Sequence, residues 1–456
     1  MPAQPVIAIL DVGKTNKKLL LFNEQYEVVH EQTARFAEIE DEDGFPCENL
    51  ESLRASVHDS LRLVFRNRAF AIKAINVAAY GASLVYIDEQ GEPVAPLYNY
   101  LKPYPETLQQ KLHDSYGGRE AFAVSTASPV LGSLNSGLQL YRIKAESPEW
   151  FQNIKYALHL PQYISYLITG QAFSDVTSIG CHTALWDFEK NAYHEWVEKE
   201  GLLPKLAPVR ATDGAIPAVY LNQRCAVGVG VHDSSAALIP YIVHFQEPFV
   251  LISTGTWCIS LNPFDTEPLT TAELAQDCLC YLNYKGQPVK AARFFAGPVY
   301  EEGVKRICEH FGQSSGQYRN VPFDATIVAA LKEKAAAWGA EKVAFGERDL
   351  NAFANDTEAY HQLMLDLMAQ QYASTCLIVK DQGVKRIFVD GGFSKNAVYM
   401  NLLATCYPDK EVYAASMAQG TALGAALAIH EAWNSAGVPP HIVDLKYYAL
   451  PHTATL

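Results

Sequence analysis

Two short polar turns, each set between apolar strands, carry residues that can bind phosphate. One lies in VIAILDVGKTNKKLLLF (Val6 to Phe22) and the other in FVLISTGTWCISL (Phe249 to Leu261). Each turn has a glycine where the backbone must bend sharply, followed by threonine hydroxyls and backbone amides that can hydrogen-bond phosphate oxygens. The glycines, Gly13 and Gly255, stand about half of the 456-residue chain apart. This pattern predicts two related domains that face one phosphate site.

Asp11 ends the first apolar strand, at a position where a side chain used only for packing would be apolar. Its carboxylate can hold Mg²⁺, partly through water, because Mg²⁺ prefers one or two carboxylates together with phosphate oxygens. The alternative is that Asp11 shapes the turn through backbone hydrogen bonds. A P-loop is excluded, because Ala8 stands where that motif needs a second glycine and a strand pattern follows the turn.

Lysines within and after the first turn add positive charge where phosphate is expected. Lys14 occupies the turn beside Thr15, and Lys17 and Lys18 begin the next strand. These lysines are either solvated hairpin charges or phosphate ligands. At least one of them could reach a phosphate group.

The segment GVGVHDSSAAL (Gly228 to Leu238) places His232 and Asp233 where a strand pattern changes to a helix pattern. Asp233 could cap the helix. It could equally act as a general base that takes the proton of a substrate hydroxyl while that oxygen attacks a phosphoryl group. The residues alone leave both interpretations open. A single histidine such as His232 is more often a packed residue than a metal ligand.

Two further segments suit a nucleotide. STGTW (Ser253 to Trp257) offers Gly255 and Thr256 to the β- and γ-phosphates. DGGFSKN (Asp390 to Asn396) is a strand-to-helix turn whose glycines admit a nucleotide and whose helix start favours an anion. Each motif alone is weak evidence for a nucleotide site, but the order of the motifs along the chain is a more specific pattern than any single motif.

Composition limits the classes of protein to which the chain can belong. With 49% hydrophobic and 19% charged residues it has ordinary globular composition, and its length allows two or three domains. The net charge of −14 argues against broad nucleic-acid or anionic-membrane surfaces. No apolar run has the length of a membrane span and no signal peptide is recognised. Nine scattered cysteines favour reduced thiols, so we expect a cytoplasmic protein.

Helical and strand patterns alternate, which predicts an α/β protein with lobes at residues 1–240 and 241–456, joined by a hinge between Ile239 and Pro248. A strand is predicted at Ile75–Asp88 and a helix at Thr357–Val379. The final segment, Gln419–Trp433, predicts a helix dense in glycine and alanine.

This ordered set of motifs resembles the FGGY carbohydrate kinases, a branch of the sugar kinase, Hsp70 and actin superfamily. DVGKTNKK, VGVHDSSAA, STGTW, DGGFSKN and QGTALGAA carry the resemblance over nearly the whole chain. It implies two RNase-H-like lobes around a central cleft for ATP and a sugar. It also implies Mg²⁺ in the cleft and transfer of the γ-phosphate to a sugar or polyol hydroxyl.

The resemblance assigns roles position by position. Asp233 is the implied base and Asp11 the implied Mg²⁺ and phosphate organiser. Further phosphate residues are Gly13, Lys14, Thr15, Lys18, Gly255 and Thr256. The adenosine residues are Gly391, Gly392, Phe393 and Asn396. The sugar residues are Gly81, Ser83, Tyr100, Lys102, His232 and Asp233.

Within the family, Thr15, Asn16 and Trp257 look most like the L-fuculose and L-rhamnulose kinases. This likeness implies a ketose acceptor such as L-rhamnulose, L-fuculose or a pentulose. The family's Trp-x-Asp-x-Arg sugar motif appears as YNYLK, with Tyr100 in place of the aspartate. Ser83 also replaces a larger polar residue, so we expect the acceptor to differ from those of familiar members. A nucleotide-binding regulator on the same fold is the alternative function, and a homodimer is compatible with the sequence.

Overall fold

Two mixed β-sheets of seven strands each organise the computed structural model. The structure describes residues 2–337, 344–380, 383–417 and 419–449. The strands are β1 (Gln4–Val12), β2 (Lys17–Asn23), β3 (Val28–Ala34), β4 (Ile39–Glu40), β5 (Pro46–Cys47), β6 (Phe70–Ala79), β7 (Leu84–Ile87), β8 (Tyr156–His159), β9 (Trp186–Asp187), β10 (Ala192–Tyr193), β11 (Ala215–Tyr220), β12 (Gln223–Gly228), β13 (Val231–His232), β14 (Phe249–Thr254), β15 (Cys258–Asn262), β16 (Cys278–Leu282), β17 (Pro288–Phe294), β18 (Arg386–Gly391), β19 (Glu411–Ser416) and β20 (Asp444–Tyr448).

Helices cover the sheets and connect their strands. They are α1 (Leu50–Arg66), α2 (Glu106–Ser115), α3 (Arg119–Ser125), α4 (Ser136–Glu146), α5 (Pro148–Asn153), α6 (Leu160–Thr169), α7 (Val176–Ile179), α8 (Glu195–Lys199), α9 (Asp233–His244), α10 (Thr271–Ala275), α11 (Ala296–Phe311), α12 (Ala325–Ala337), α13 (Asp356–Cys376), α14 (Ala397–Cys406) and α15 (Gly420–Ala428).

The two sheets repeat one strand order, which confirms the prediction of two lobes with related folds. In the first sheet, β2 lies between β3 and β1 and is antiparallel to both, and β6 and then β12 continue parallel to β1. In the second sheet, β17, β15 and β14 run antiparallel, and β18 and then β19 continue parallel to β14. Each predicted phosphate hairpin is the antiparallel pair at the centre of its sheet.

Helices α9 and α15 lie between the lobes. The alanine-rich helix α15 packs on Ile7 and Ile9 of β1, whereas α9 also reaches Phe249 and Phe388 of the second sheet. Pro240 lies inside α9 and cannot donate to the carbonyl of Ala236. Gly424 of α15 approaches that carbonyl so closely that a methyl group would collide with it. The small residues of α15 therefore allow close contact between the lobes.

Two sequence-based boundaries differ from the structure. The predicted strand at Ile75–Asp88 is two strands, because β6 ends at Ala79 and the chain turns through residues 80–83 before β7. The predicted lobe boundary at residue 240 falls inside α9, which continues through Pro240 to His244. The connection between the lobes is therefore residues 245–248.

Among the described residues, no helix combines the length and apolarity needed to cross a membrane.

Candidate active site

The carboxyl edge of the first sheet brings Asp11 and Asp233 together. Strands β1, β6 and β13 are parallel, and Ala78 of β6 pairs with Asp11 on one side and with Val231 on the other. Because parallel strands end at the same edge of a sheet, Asp233, which directly follows β13, lies near Asp11. The two acidic residues that the sequence singled out therefore share one site.

Asp11 is poorly solvated and lies in a negative environment. Its pKa is raised to about 6, first by burial and then by the negative charge of Asp233, while Lys18 acts in the opposite direction. Lys18 pairs directly with Asp11 across the β1–β2 hairpin. Two neighbouring carboxylates with one lysine suit a divalent cation. Among the described residues there is no group of three or more His, Cys, Asp or Glu that could hold a metal by itself. Asp11 therefore fits a Mg²⁺ ion that takes its remaining ligands from phosphate and water.

Asp233 is the first residue of α9, and His232 occupies the N-cap position without a capping hydrogen bond from its side chain. Its Oδ1 atom accepts a hydrogen bond from the Ser234 amide at 2.6 Å and lies 3.2 Å from His232 Nε2. The positive end of the helix dipole favours a carboxylate here. With 37% of the side chain exposed, the oriented carboxylate remains accessible to a ligand.

Gly81 and His232 meet beside Asp233. A Cβ atom at Gly81 would lie 2.7 Å from His232 Nε2, so only glycine leaves room for the imidazole. Burial lowers the pKa of His232, although the charge of Asp233 opposes this shift, and Cys181 Sγ lies 3.5 Å from its Nε2 atom. The structure therefore brings two predicted sugar residues to the predicted base.

Tyr100 also faces this region. Its ring lies 6.2 Å from that of Tyr80, the neighbour of Gly81. Burial raises the pKa of Tyr100, the charge of Lys14 lowers it and the charge of Asp233 raises it. The Tyr100 phenol is thus within electrostatic range of both Lys14 and Asp233, as a sugar-binding residue would be.

Lys102 and Ser83, which the resemblance assigns to the sugar, are both buried in the ligand-free protein. Lys102 is only 7% exposed, and its ammonium lies 2.6 Å from Asp41 and 2.8 Å from Asp43 in the turn between β4 and β5. Its charge is therefore neutralised within the lobe. Ser83 is 1% exposed, and its hydroxyl is buried without a partner among the described residues.

The first phosphate turn spans residues 13–16 and is closed by the Gly13 amide, which donates to the Asn16 carbonyl at 2.9 Å. Thr15 is exposed in this turn. Lys14 Nζ lies 2.9 Å from Glu38 and 3.8 Å from Glu48, so these carboxylates balance its charge. Without a ligand, Lys14 is therefore paired with carboxylates of its own lobe.

Lys18 lies between Asp11 and the start of α15. Its ammonium lies 3.4 Å from Glu31 and donates to Gln419 Oε1 at 3.0 Å, near the start of α15. Together with its pairing to Asp11, this places Lys18 where both lobes meet.

The second phosphate turn is shorter, with residues 255–257 between β14 and β15. The Gly255 amide donates to the Trp257 carbonyl at 2.9 Å, and Thr256 is exposed. The start of α11 supports this turn, because the Gly297 amide donates to the Thr256 carbonyl at 3.0 Å. A Cβ atom at Gly297 would lie 2.9 Å from Thr256 Cα, so this glycine is needed for the contact.

A cavity of 540 Å³ opens beside the second turn. Its lining joins the predicted residues Gly255, Gly392, Phe393 and Asn396. Gly391 does not line it, but its φ of 79° and its close approach to the Thr254 carbonyl hold the turn in place. The volume suits a nucleoside. The structure thus gathers most of the predicted adenosine residues at one cavity.

Sequence reasoning missed the opposite wall of this cavity. That wall is formed by Gly297, Tyr300, Glu301, Arg319, Asn320 and Lys395. Lys395 lies inside a recognised motif and could have been included. The others come from α11 and from the 3₁₀ turn Ser315–Asn320, where no motif marks them. Only tertiary packing brings them to the cavity.

Comparisons with known proteins agree with this geometry. Residues 6–234 match the N-terminal domain of the FGGY family of carbohydrate kinases, and residues 246–437 match the carbohydrate kinase FGGY C-terminal domain. A rhamnulokinase from Mannheimia succiniciproducens is 25% identical over 281 residues, which cover 59% of this chain and 56% of that protein. An L-fuculokinase from Salmonella typhi is 24% identical over 267 residues, 56% of each chain. The chain therefore matches little more than half the length of these relatives.

Solved structures are similar over nearly the whole chain. A carbohydrate kinase from Novosphingobium aromaticivorans has a TM-score of 0.80 at 24% identity, covering 98% of this chain and 95% of that one. The ligand-bound xylulose kinase from Lactobacillus acidophilus has a TM-score of 0.78 at 14% identity, with coverages of 98% and 94%. These solved structures show that the chain shares their fold over nearly its whole length. With both domain models matched in order, the chain belongs to the FGGY family of carbohydrate kinases.

Proposed function

We propose that the protein transfers the γ-phosphate of ATP to a hydroxyl of a small sugar, with Asp233 as the general base. The observation that carries this proposal is the meeting of Asp11 and Asp233 at the carboxyl edge of the first sheet. The nucleotide cavity, lined in part by Gly255, opens beside the second phosphate turn. In this proposal the nucleotide extends from that cavity toward the pair of carboxylates, where it meets the acceptor.

The proposed acceptor is a ketose. The curated relatives are named rhamnulokinase and L-fuculokinase, which makes L-rhamnulose and L-fuculose the first candidates, with pentuloses next. The residues that meet at Asp233, namely Gly81, Tyr100 and His232, are the proposed sugar-binding residues. Lys102 is left out of this set because its ammonium is paired with Asp41 and Asp43. Ser83 stays a candidate, because its buried hydroxyl has no partner among the described residues.

In the proposed mechanism Asp233 accepts the proton of the acceptor hydroxyl. The hydroxyl oxygen forms a bond to the γ-phosphorus as the bond to the ADP oxygen breaks, and no covalent enzyme intermediate is needed. The Ser234 amide and the His232 ring fix the Asp233 carboxylate, so its proton-accepting oxygen is oriented before the sugar binds. Positioning of this kind supplies much of the acceleration in phosphoryl transfer.

In this mechanism only a few groups balance the negative charge of the ATP phosphates. Lys18, opposite Asp11, is the proposed phosphate cation of the first lobe, and the amides of the turns at Gly13 and Gly255 are the proposed hydrogen-bond donors. Asp11 would hold Mg²⁺, partly through water, and the ion would neutralise phosphate charge when bound. Gly392, Phe393 and Asn396 would contact the adenosine.

A substrate panel tests the proposal. Purified protein with ATP and Mg²⁺ is offered L-rhamnulose, L-fuculose, D-xylulose and polyols in a coupled ADP-release assay. We expect ADP release that depends on one class of neutral sugar and that yields a phosphorylated product by mass spectrometry. ATP hydrolysis at the same rate with and without every sugar would contradict the assignment and favour an ATPase.

A further inference from the structure

Arg293 lies on β17, on the face of the second sheet that is turned toward the first lobe. Side chains alternate between the two faces along a strand, so Val289 and Ala291 share this face with Arg293. Both pack in one cluster with Cys181 of the first lobe. The side chain of Arg293 is only 10% exposed. The guanidinium therefore lies between the lobes rather than on an outer surface.

The guanidinium of Arg293 is only partly paired. One Nη atom donates to Asp277 at 2.5 Å, and the group stacks on the Trp257 ring at 5.1 Å. Its Nε atom is buried without a hydrogen-bond partner among the described residues. Because Trp257 ends the second phosphate turn, Arg293 is adjacent to the predicted path of the transferred phosphate.

His182 approaches this position from the first lobe. Its ring lies 6.2 Å from that of Tyr281, and the His232 ring lies 6.5 Å from the same tyrosine. His182 Nδ1 is also buried without a partner in the described parts of the chain. The pKa of His182 is lowered to about 3, first by burial and then by the charge of Arg293, so the imidazole is neutral at physiological pH.

The backbone of His182 supports a specific role. Its φ of 41° lies in the left-handed region, which residues other than glycine adopt uncommonly. Such conformations persist where the surrounding structure enforces them, often at ligand sites. Buried polar atoms without partners are also rare in native proteins, and each calls for an explanation. Two such atoms belong to Arg293 and His182. The His182 ring is within electrostatic range of both Arg293 and His232, the residue before Asp233.

We propose that Arg293 and His182 bind a hydroxyl group of the acceptor sugar and thereby determine which acceptor is used. The proposal rests on the proposed function and identifies the part of the acceptor site that the second lobe supplies. A hydroxyl can accept a hydrogen bond from Arg293 Nε and, because it is both donor and acceptor, can pair with either tautomer of His182. The acceptor would then be held by both lobes.

The charges around Arg293 favour a neutral sugar over a sugar acid. Asp277 already balances the guanidinium, and Asp233 is a second carboxylate beside His232. A carboxylate would bring a third negative charge to this group. It could also accept a bond from Arg293 but not donate one to an unprotonated nitrogen of His182. A neutral polyhydroxy acceptor satisfies both atoms.

Binding measured without ATP tests this proposal independently of catalysis. Isothermal titration of the intact protein would use L-rhamnulose, L-fuculose and D-xylulose as neutral probes and D-gluconate as the acidic probe. We expect a neutral ketose to bind and D-gluconate not to bind. Arg293→Gln and His182→Ala should each weaken that binding at least about tenfold, the effect of losing one hydrogen bond to a charged or buried group.

Two further variants control for folding. Asp277→Asn removes the ion pair but keeps Arg293, and it should change ketose affinity by less than about threefold. Arg293→Lys keeps the positive charge but loses the Nε donor, and should weaken ketose binding as Arg293→Gln does. Thermal melts of all variants identify any that fail to fold, and Arg293→Lys replaces Arg293→Gln in that case.

Each outcome bears on the proposal. Ketose binding unchanged in Arg293→Lys and His182→Ala, or an equal loss in Asp277→Asn, would overturn it and leave the kinase assignment intact. Tighter binding of D-gluconate than of every ketose, or no ketose binding at all, would also overturn it. Ketose binding that depends on Arg293, without phosphate transfer to any sugar, would instead overturn the kinase assignment and support the binding site.

Discussion

At the scale of single residues, the site depends on two carboxylates with different environments. Asp11 is poorly solvated and faces the negative charge of Asp233, and its pKa is raised from 3.8 to about 6. Asp233 is accessible and oriented by its neighbours in the first turn of α9. The environment of Asp11 suits the binding of a cation, and the environment of Asp233 suits the acceptance of a proton. Their sequence positions were recognised, but the effect of one charge on the other was not predictable without the sheet register.

The raised pKa of Asp11 predicts that it destabilises the ligand-free protein. Above pH 6 the Asp11 carboxylate is ionised in both states, but the unfolded chain solvates it better than the folded protein does. This difference makes folding less favourable by up to about 3 kcal/mol. This destabilisation decreases as the pH drops from about 6 toward 4, because Asp11 becomes protonated in the folded protein. Below pH 4 the destabilisation is absent. Asp11→Asn should therefore raise the melting temperature at pH 7.5, without Mg²⁺ or nucleotide, but not at pH 4. A lower melting temperature at pH 7.5 would contradict this explanation.

Lys14 and Lys18 should differ in their effect on ATP. Lys14 is ion-paired with Glu38, whereas Lys18 lies opposite Asp11. Lys18→Ala should raise the KM for ATP about tenfold, as expected for one lost charge-assisted contact. The matched variant Lys14→Ala should change it by less than about twofold. Equal effects of the two substitutions in steady-state kinetics would show that Lys14 also reaches phosphate.

At the scale of elements, local patterns predicted the pieces that hold the motifs. The hairpins at Gly13 and Gly255 and the strand and turn at β18 form where the sequence indicated. The small-residue helix also forms, but α15 ends at Ala428, before the predicted end at Trp433. The turn after β6 was missed because its residues, Tyr80 to Ser83, include no proline and no charged residue, and Gly81 was read as part of the strand. The cavity wall from α11 was missed because contacts distant in sequence form it.

The contact between α9 and α15 predicts a strong effect at one glycine. Gly424→Ala would place a methyl group against the Ala236 carbonyl, and such overpacking costs about 1 to 3 kcal/mol. The matched variant Gly437→Ala adds its methyl group to open space at an exposed residue. Urea denaturation should show a lower midpoint for Gly424→Ala and no change for Gly437→Ala. Equal midpoints would show that the helices can separate without cost.

At the scale of the whole molecule, the two lobes contact at α9 and α15 and contribute one phosphate turn each. The sequence predicted this duplication from the spacing of two glycines. It could not predict which side chains meet between the lobes, such as Arg293 and His182, because their positions depend on how the lobes are arranged. The contribution of the second lobe to the proposed acceptor site therefore emerged only from the structure, whereas the residues of the first lobe were predicted from the sequence.

Joint binding of the acceptor by both lobes predicts closure. Exclusion of water from the cleft protects the phosphoryl group from hydrolysis, and movement of the lobes is the usual means. Small-angle scattering should show a smaller radius of gyration with L-rhamnulose and a non-hydrolysable ATP analogue together than with either alone. An unchanged scattering curve would contradict closure.

The central claim is that Asp233 takes the proton of the acceptor hydroxyl, and the variant Asp233→Asn tests it most directly. Single-turnover transfer from ATP would be measured on the sugar that the substrate panel identifies, with the exposed Asp213→Asn as the control. We expect Asp233→Asn to bind ATP as the wild type does and to transfer phosphate about 10²- to 10⁴-fold more slowly, with Asp213→Asn unaffected. Transfer by Asp233→Asn at near the wild-type rate would contradict the claim.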